Sequence, residues 1–222
     1  MQIELAVLDM AGTVVSDDGL VVRAFEEAAT AVGVPADGPE RDAARRYVLD
    51  TMGQSKIAVF THLFGEGRAE EANIAFEKTY ERFIETGASP IPGAAETISA
   101  LRGAGVRVAL TTGFSPSTQQ RILDALGWDD IADVVLAPGP GVRGRPYPDL
   151  VLTALMRTGV DDVRKVAVVG DTVSDIAAGL RAGSSVVAGV LTGAHDTATL
   201  KAAGATHIIG SVAELPAIVL TD

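Results

Sequence analysis

The sequence predicts an α/β protein: a doubly wound parallel sheet with an inserted all-helical cap subdomain. Three observations predict it. Short Val- and Ile-rich runs that are apolar without alternation recur along the chain, as in strands buried on both faces of a parallel sheet. Helical periodicity fills the intervals between them from residue 89 onward, which is the alternation of an open, doubly wound sheet. Residues 20–86 contain no convincing strand pattern.

Taken in order, the first strand is expected over residues 3–8 and ends at an acidic residue, Asp9. Four helices follow, over 21–32, 41–52, 55–64 and 69–85. An insert of roughly 60 residues is too long for an ordinary crossover, so it reads as a helical subdomain. Its hinges are expected near 16–19 and 87–92. Phe60, Phe64, Phe76, Tyr80 and Phe83 recur at helical spacing and are expected to form its core. Strands are then expected over 106–110, 134–137, 166–169, 186–191 and 207–209. The helices between and before them cover 94–102, 115–126, 149–157, 174–181 and 197–203. Ser115-Pro116 offers an N-cap followed by proline at the first helical position. Gly127, Gly159 and Gly183 follow helical stretches where a left-handed residue is wanted. Residues 1–16 and 89–222 therefore form the Rossmann-like core and 17–88 the cap.

The bulk numbers narrow the function. With 222 residues, 47% of them hydrophobic, the chain can bury a substantial core. A net charge of −11 opposes binding to nucleic acid and to anionic membranes, so neither is an expected partner. There is no cysteine, hence no disulfide framework and no thiol chemistry. The opening M-Q-I-E-L-A-V-L-D is too short and too acidic for a signal peptide. No apolar run approaches the roughly 20 residues that span a bilayer. A cytoplasmic protein is expected, as a monomer or a homodimer.

Ligands of open parallel sheets bind outside the carboxyl ends of the strands. The first strand ends in D-M-A-G-T (residues 9–13), the second in T-T-G (111–113), and a later one in G-D-T-V-S-D (170–175). Asp9, Thr112, Asp171 and Asp175 can therefore converge. Carboxylates gathered in this way repel one another, and the usual remedy is a divalent cation; all-oxygen ligands suit Mg²⁺. The loop G-V-R-G-R-P-Y-P-D-L supplies Arg143 and Arg145. One of them can pair with a phosphoryl oxygen and with a carboxylate.

Those four motifs, in this order and across the whole chain, resemble the haloacid dehalogenase superfamily. The resemblance implies that Asp9 is a covalent nucleophile at phosphorus. It also implies that Gly12, Thr13, Thr112 and Gly113 cradle the phosphoryl group and that Arg145 takes the usual lysine's place. The metal would be held by Asp9, Asp171, Asp175 and the backbone carbonyl of Ala11. Most phosphatases of the superfamily have D-x-D at the first motif, whose second aspartate protonates the leaving alkoxide. Ala11 stands there in this chain, and a methyl group cannot do that work.

D-x-A-G-T together with G-R-P-Y-P is similar to the phosphonatase branch, the phosphonoacetaldehyde hydrolases. In that branch a cap lysine forms a Schiff base with the aldehyde, and the iminium draws electrons from the breaking C–P bond. T-M-G-Q-S-K-I (51–57) is similar to the stretch carrying that lysine, which assigns the role to Lys56 and makes Met52 a substrate-facing wall. The chain departs from the branch at two places: Met10 replaces a tryptophan, and Val59 stands where a histidine follows the lysine. The leading expectation is a Mg²⁺-dependent, phosphonatase-like hydrolase of a small phosphonate or phosphorylated metabolite. A phosphate monoesterase of the phosphoglycolate phosphatase type is the alternative. A receiver-like phosphoacceptor or non-catalytic binding module is the alternative of another class, and the helical insert counts against it.

Overall fold

The computed structural model describes residues 2–220. Strand β1 (Leu5–Asp9) is followed by α1 (Leu20–Ala31), α2 (Pro39–Asp50), α3 (Lys56–Phe64) and α4 (Glu66–Gly87). Then come α5 (Ala94–Gly103), β2 (Arg107–Thr111), α6 (Pro116–Leu126), β3 (Val134–Leu136) and α7 (Asp149–Thr158). The chain closes with β4 (Val166–Gly170), α8 (Val173–Ala182), β5 (Val186–Val190), α9 (Thr197–Ala202), β6 (His207–Ile209) and α10 (Pro216–Val219).

All six strands are parallel, in the order β3-β2-β1-β4-β5-β6. The order reverses direction at β1, with β2 on one side and β4 on the other, and this is where a doubly wound sheet opens a crevice. Every residue of β1 and β4 is buried, which explains why both runs are apolar without alternation. Register sets the site: Leu8 pairs with Val169 and Asp9 with Thr111. Asp9, Thr112 and Asp171 thus emerge at one edge of the sheet.

The punctuation works as its chemistry dictates. Ser115 accepts a hydrogen bond from Thr118 N and Pro116 opens α6. Gly127, Gly159 and Gly183 close α6, α7 and α8 with φ of 64°, 73° and 90°. Predicted boundaries fall within three residues of the observed ones, and those of β6 coincide. Asp9 is the last residue of β1 rather than the one after it, and the short α10 carries no predictive pattern.

The inserted helices pack around aromatic rings: Phe25 lies 4.8 Å from Phe60 and 4.9 Å from Phe76, centroid to centroid. Phe60, Phe76 and Tyr80 are buried, whereas Phe64 and Phe83 are half-buried. Phe114, from the loop after β2, reaches into it at 4.6 Å from Tyr80, so insert and sheet share one continuous core. The two connecting segments run side by side: Ser16 N donates to Ser89 O and Ile91 N to Val14 O, both at 2.9 Å.

Candidate active site

Asp9, at the end of β1, is buried in the crevice. Arg145, also buried, donates through one terminal nitrogen to Asp9 Oδ1 at 2.5 Å and to Asp175 Oδ1. Burial raises the Asp9 pKa to about 6; Arg145 opposes the rise and Asp175 adds to it. Burial disfavours the charge on Arg145, but Asp175 and Asp9 outweigh it and hold the guanidinium protonated. Asp171 accepts from Ala194 N at 2.7 Å. Burial, with Asp9 and Asp175 as like-charged neighbours, raises its pKa well above the usual value.

Asp175 is placed by a capping box at the start of α8: Thr172 Oγ1 accepts from Asp175 N, and the Asp175 carboxylate accepts from Thr172 N. Oxygens of Asp9, Asp171 and Asp175 all lie within 4.8 Å of one another. Close approach is possible because Gly12 and Gly193 lack a Cβ, which at either position would collide with the Asp171 carboxylate. Gly12 also takes a φ of 84°, a left-handed conformation that glycine adopts freely. Thr13 is fully buried beneath the carboxylates, its hydroxyl 3.5 Å from both Asp9 and Asp171.

A cavity of about 520 Å³ opens above this cluster, lined by Asp9, Ala11, Met52, Lys56, Thr112, Gly113, Arg145 and Asp171 among others. Lys56, the first residue of α3, comes from the insert and is buried. Its Nζ lies 5.0 Å from the Phe114 ring centroid and 5.8 Å from that of Phe25. Burial, and next the Arg145 charge, lower its pKa to about 8. Lys56 N donates to Gly113 O at 3.1 Å and Ser174 Oγ to Met52 O at 2.7 Å. These bonds press the loop before α3 onto the sheet. Glycines make room for it: a Cβ at Gly113 would strike the carbonyl of Gln54, one at Gly53 would strike Thr172, and one at Gly144 would sit 2.9 Å from Ser55 Cβ.

Residues 3–183 match the family described as haloacid dehalogenase-like hydrolases. The chain belongs to that family. It is 30% identical over 207 residues to the phosphonoacetaldehyde hydrolase of Pseudomonas entomophila, covering 86% of this chain and 74% of the relative. It is 27% identical over 217 residues to the probable phosphatase IndB of Dickeya dadantii, covering 95% and 91%. The fold is shared with a phosphonoacetaldehyde hydrolase like protein from Oleispira antarctica, with a TM-score of 0.83 and 24% identity over 99% of this chain and 92% of that one.

In this haloacid dehalogenase-like hydrolase the donor set suits a hard cation. Three buried carboxylates face one guanidinium, which leaves a formal surplus of two negative charges when all three are ionised. Oxygen donors of that charge favour a divalent ion. Arg145 Nε is buried without a hydrogen-bond partner among the described residues, so the guanidinium keeps a free donor inside the site.

Thr111 is structural, its hydroxyl 3.5 Å from Leu8 O. Arg143 is exposed and paired with Asp149 at 2.8 Å. Met10 is fully buried but does not line the cavity; its sulfur receives Gln119 Nε2 at 3.4 Å. His62 stacks on Tyr47 at 4.2 Å and does not line the cavity. His195 does line it, with Nδ1 accepting from Val173 N at 3.1 Å, although nothing in its spacing singled it out. Asp17 also lines it; the signal for it, a carboxylate in the turn-forming S-D-D-G at the hinge, carried no obvious chemistry. Among the described residues no helix is long and apolar enough to cross a membrane.

Proposed function

We propose that this hydrolase cleaves a small phosphonate or phosphorylated metabolite through an aspartyl-phosphate on Asp9, with Mg²⁺ as cofactor and Lys56 capturing an aldehyde group of the substrate. The observation that carries this reading is Lys56, a buried amine with a lowered pKa in the same cavity as Asp9 and Arg145. An ordinary phosphatase has no need of a neutral amine there.

Asp9, Asp171, Asp175 and the Ala11 carbonyl would hold Mg²⁺, which when bound neutralises the surplus carboxylate charge and draws the phosphoryl group toward Asp9. Thr112, Gly113 and Arg145 bind and orient the phosphoryl oxygens, Arg145 through its guanidinium donors. The neutral Lys56 amine adds to the aldehyde and expels water to give an iminium. Asp9 then attacks phosphorus as the C–P bond breaks, and that electron pair flows into the iminium to leave an enamine. Protonation and hydrolysis of the enamine release the carbonyl product, and water cleaves the aspartyl-phosphate to free phosphate. The leaving carbon departs as an enamine, its electron pair drawn toward the former iminium nitrogen, so C–P cleavage needs no proton from position 11. Residues 17–88 act as the cap that covers the site.

The test is Mg²⁺-dependent phosphate release from phosphonoacetaldehyde by the native protein and by Lys56→Arg, beside a panel of phosphate monoesters. The expected result is turnover of phosphonoacetaldehyde that falls by at least about a thousandfold in the variant. Efficient monoester turnover indifferent to the substitution would instead make the protein a phosphatase.

A further inference from the structure

The cavity holds one more carboxylate that the phosphoryl chemistry does not use. Asp17 lies in the first connection between sheet and insert and lines the same cavity as Lys56. Its Oδ1 accepts a hydrogen bond from Val21 N at 3.3 Å, which fixes the carboxylate at the start of α1. Burial raises its pKa above the ordinary aspartate value, and the Val21 bond and the Lys56 charge oppose that rise. From α4, the buried Tyr80 bears on the same carboxylate; burial first, and then Asp17, keep its phenol protonated far above its usual range. Tyr80 therefore does not compete with Asp17 as an acid.

Few other charges act here. Asp18 adjoins Asp17 in the chain. Arg145, Asp9 and Asp171 act on Lys56 from the sheet. The imidazoles leave the role open: Val59 occupies the position one turn along α3 from Lys56, His62 is stacked on Tyr47, and Nδ1 of His195 is already engaged by Val173 N.

We propose that Asp17 is the acid–base partner of Lys56, moving protons to and from the amine and its aldehyde adduct. This rests on the Schiff-base reading of Lys56. The Asp17 carboxylate takes one proton from the Lys56 ammonium. The freed nitrogen lone pair forms a bond to the carbonyl carbon, and the C=O π pair moves onto oxygen. The excess nitrogen proton passes to that oxygen and gives a carbinolamine. Asp17 returns its proton to the hydroxyl, the C–O bond breaks with its pair on oxygen, and water leaves as the nitrogen lone pair forms the iminium. Asp17 ends as the carboxylate it began as, and one water is released.

The test measures the initial rate of borohydride trapping at Lys56 in the whole protein with phosphonoacetaldehyde, from about pH 6 to about pH 9. Asp17→Asn retains an oxygen for Val21 N but cannot carry a proton. Asp17→Ser offers a different helix-capping oxygen as a second check on folding. The expected result is trapping about a hundredfold slower in both variants, with thermal midpoints close to native and the loss largest on the acid side, where the lysine must be deprotonated. Native-rate trapping with a native pH profile in Asp17→Asn would overturn the role of Asp17 and leave Lys56 standing. No trapping by the native protein would overturn both.

Discussion

On the proposed mechanism, a phosphonatase differs from a phosphatase by a single amine, that of Lys56. Its pKa of about 8 means that the neutral fraction grows about tenfold per pH unit below that value and levels off above it. The rate of aldehyde trapping is therefore expected to reach half its maximum near pH 8, as read by borohydride reduction across a pH series; a midpoint near that of free lysine would show an amine that is not buried in solution. Ala11 gives a complementary expectation. It lines the cavity close to Asp9, and Ala11→Asp restores the second carboxylate of the usual first motif. Monoester turnover, followed with p-nitrophenyl phosphate, is expected to rise by about tenfold or more, while C–P cleavage falls because the new charge holds Lys56 protonated. These residues were legible to different degrees. Asp9, Asp171, Asp175 and Arg145 announce themselves by sitting at strand ends and in a Gly/Pro-rich loop. Asp17 does not, because its burial depends on the insert folding over it.

At the scale of elements, the contact between insert and sheet combines the Phe114 ring with short backbone approaches in the loop before α3. Gly113 faces the carbonyls of Gly53 and Gln54 with no room for a methyl group. Gly113→Ala is expected to hold the loop before α3 away from the sheet, letting water reach Lys56 and moving its pKa back toward that of a free lysine. KM should rise about tenfold or more with a smaller change in thermal midpoint; steady-state kinetics beside a melting curve check this. The sequence pattern revealed helices and strands because burial writes a period into the chain. It did not reveal this seam, because nothing local marks Gly53, Gly113 and Gly144 as facing one another. Phe25 and Phe114 escaped for the same reason: each joins the aromatic cluster from a different element.

For the molecule as a whole, the crevice between β1 and β4 concentrates negative charge that the fold alone does not neutralise. Asp9 titrates near 6 rather than at its usual 3.8. A carboxylate whose pKa is raised by folding gives its full stability below the lower value and loses it as pH climbs through the upper one. The metal-free protein is therefore expected to lose about 3 kcal/mol from this group between about pH 4 and pH 7. Denaturant melts in EDTA should show that slope flattened in Asp9→Asn, and Mg²⁺ should recover stability in the native protein above about pH 6. Equal slopes in both proteins would show that burial does not raise the Asp9 carboxylate in solution. The doubly wound sheet and the helical insert were both legible from the sequence, since strand runs, helix runs and the strandless stretch of residues 20–86 occur in plain succession. The contacts that hold the insert against the sheet were not, since they join residues distant in the chain, such as Ser174 with Met52.

On the proposed function, Lys56 bonds to the substrate carbon while Asp9 takes the phosphoryl group. Its most direct test is peptide mapping by mass spectrometry after the Mg²⁺-loaded native protein turns over phosphonoacetaldehyde in the presence of borohydride. The expected result is reduced N-ethyl-lysine at Lys56, the two-carbon remnant left after C–P cleavage, with every other lysine unmodified. Phosphate release with Lys56 unmodified would contradict it.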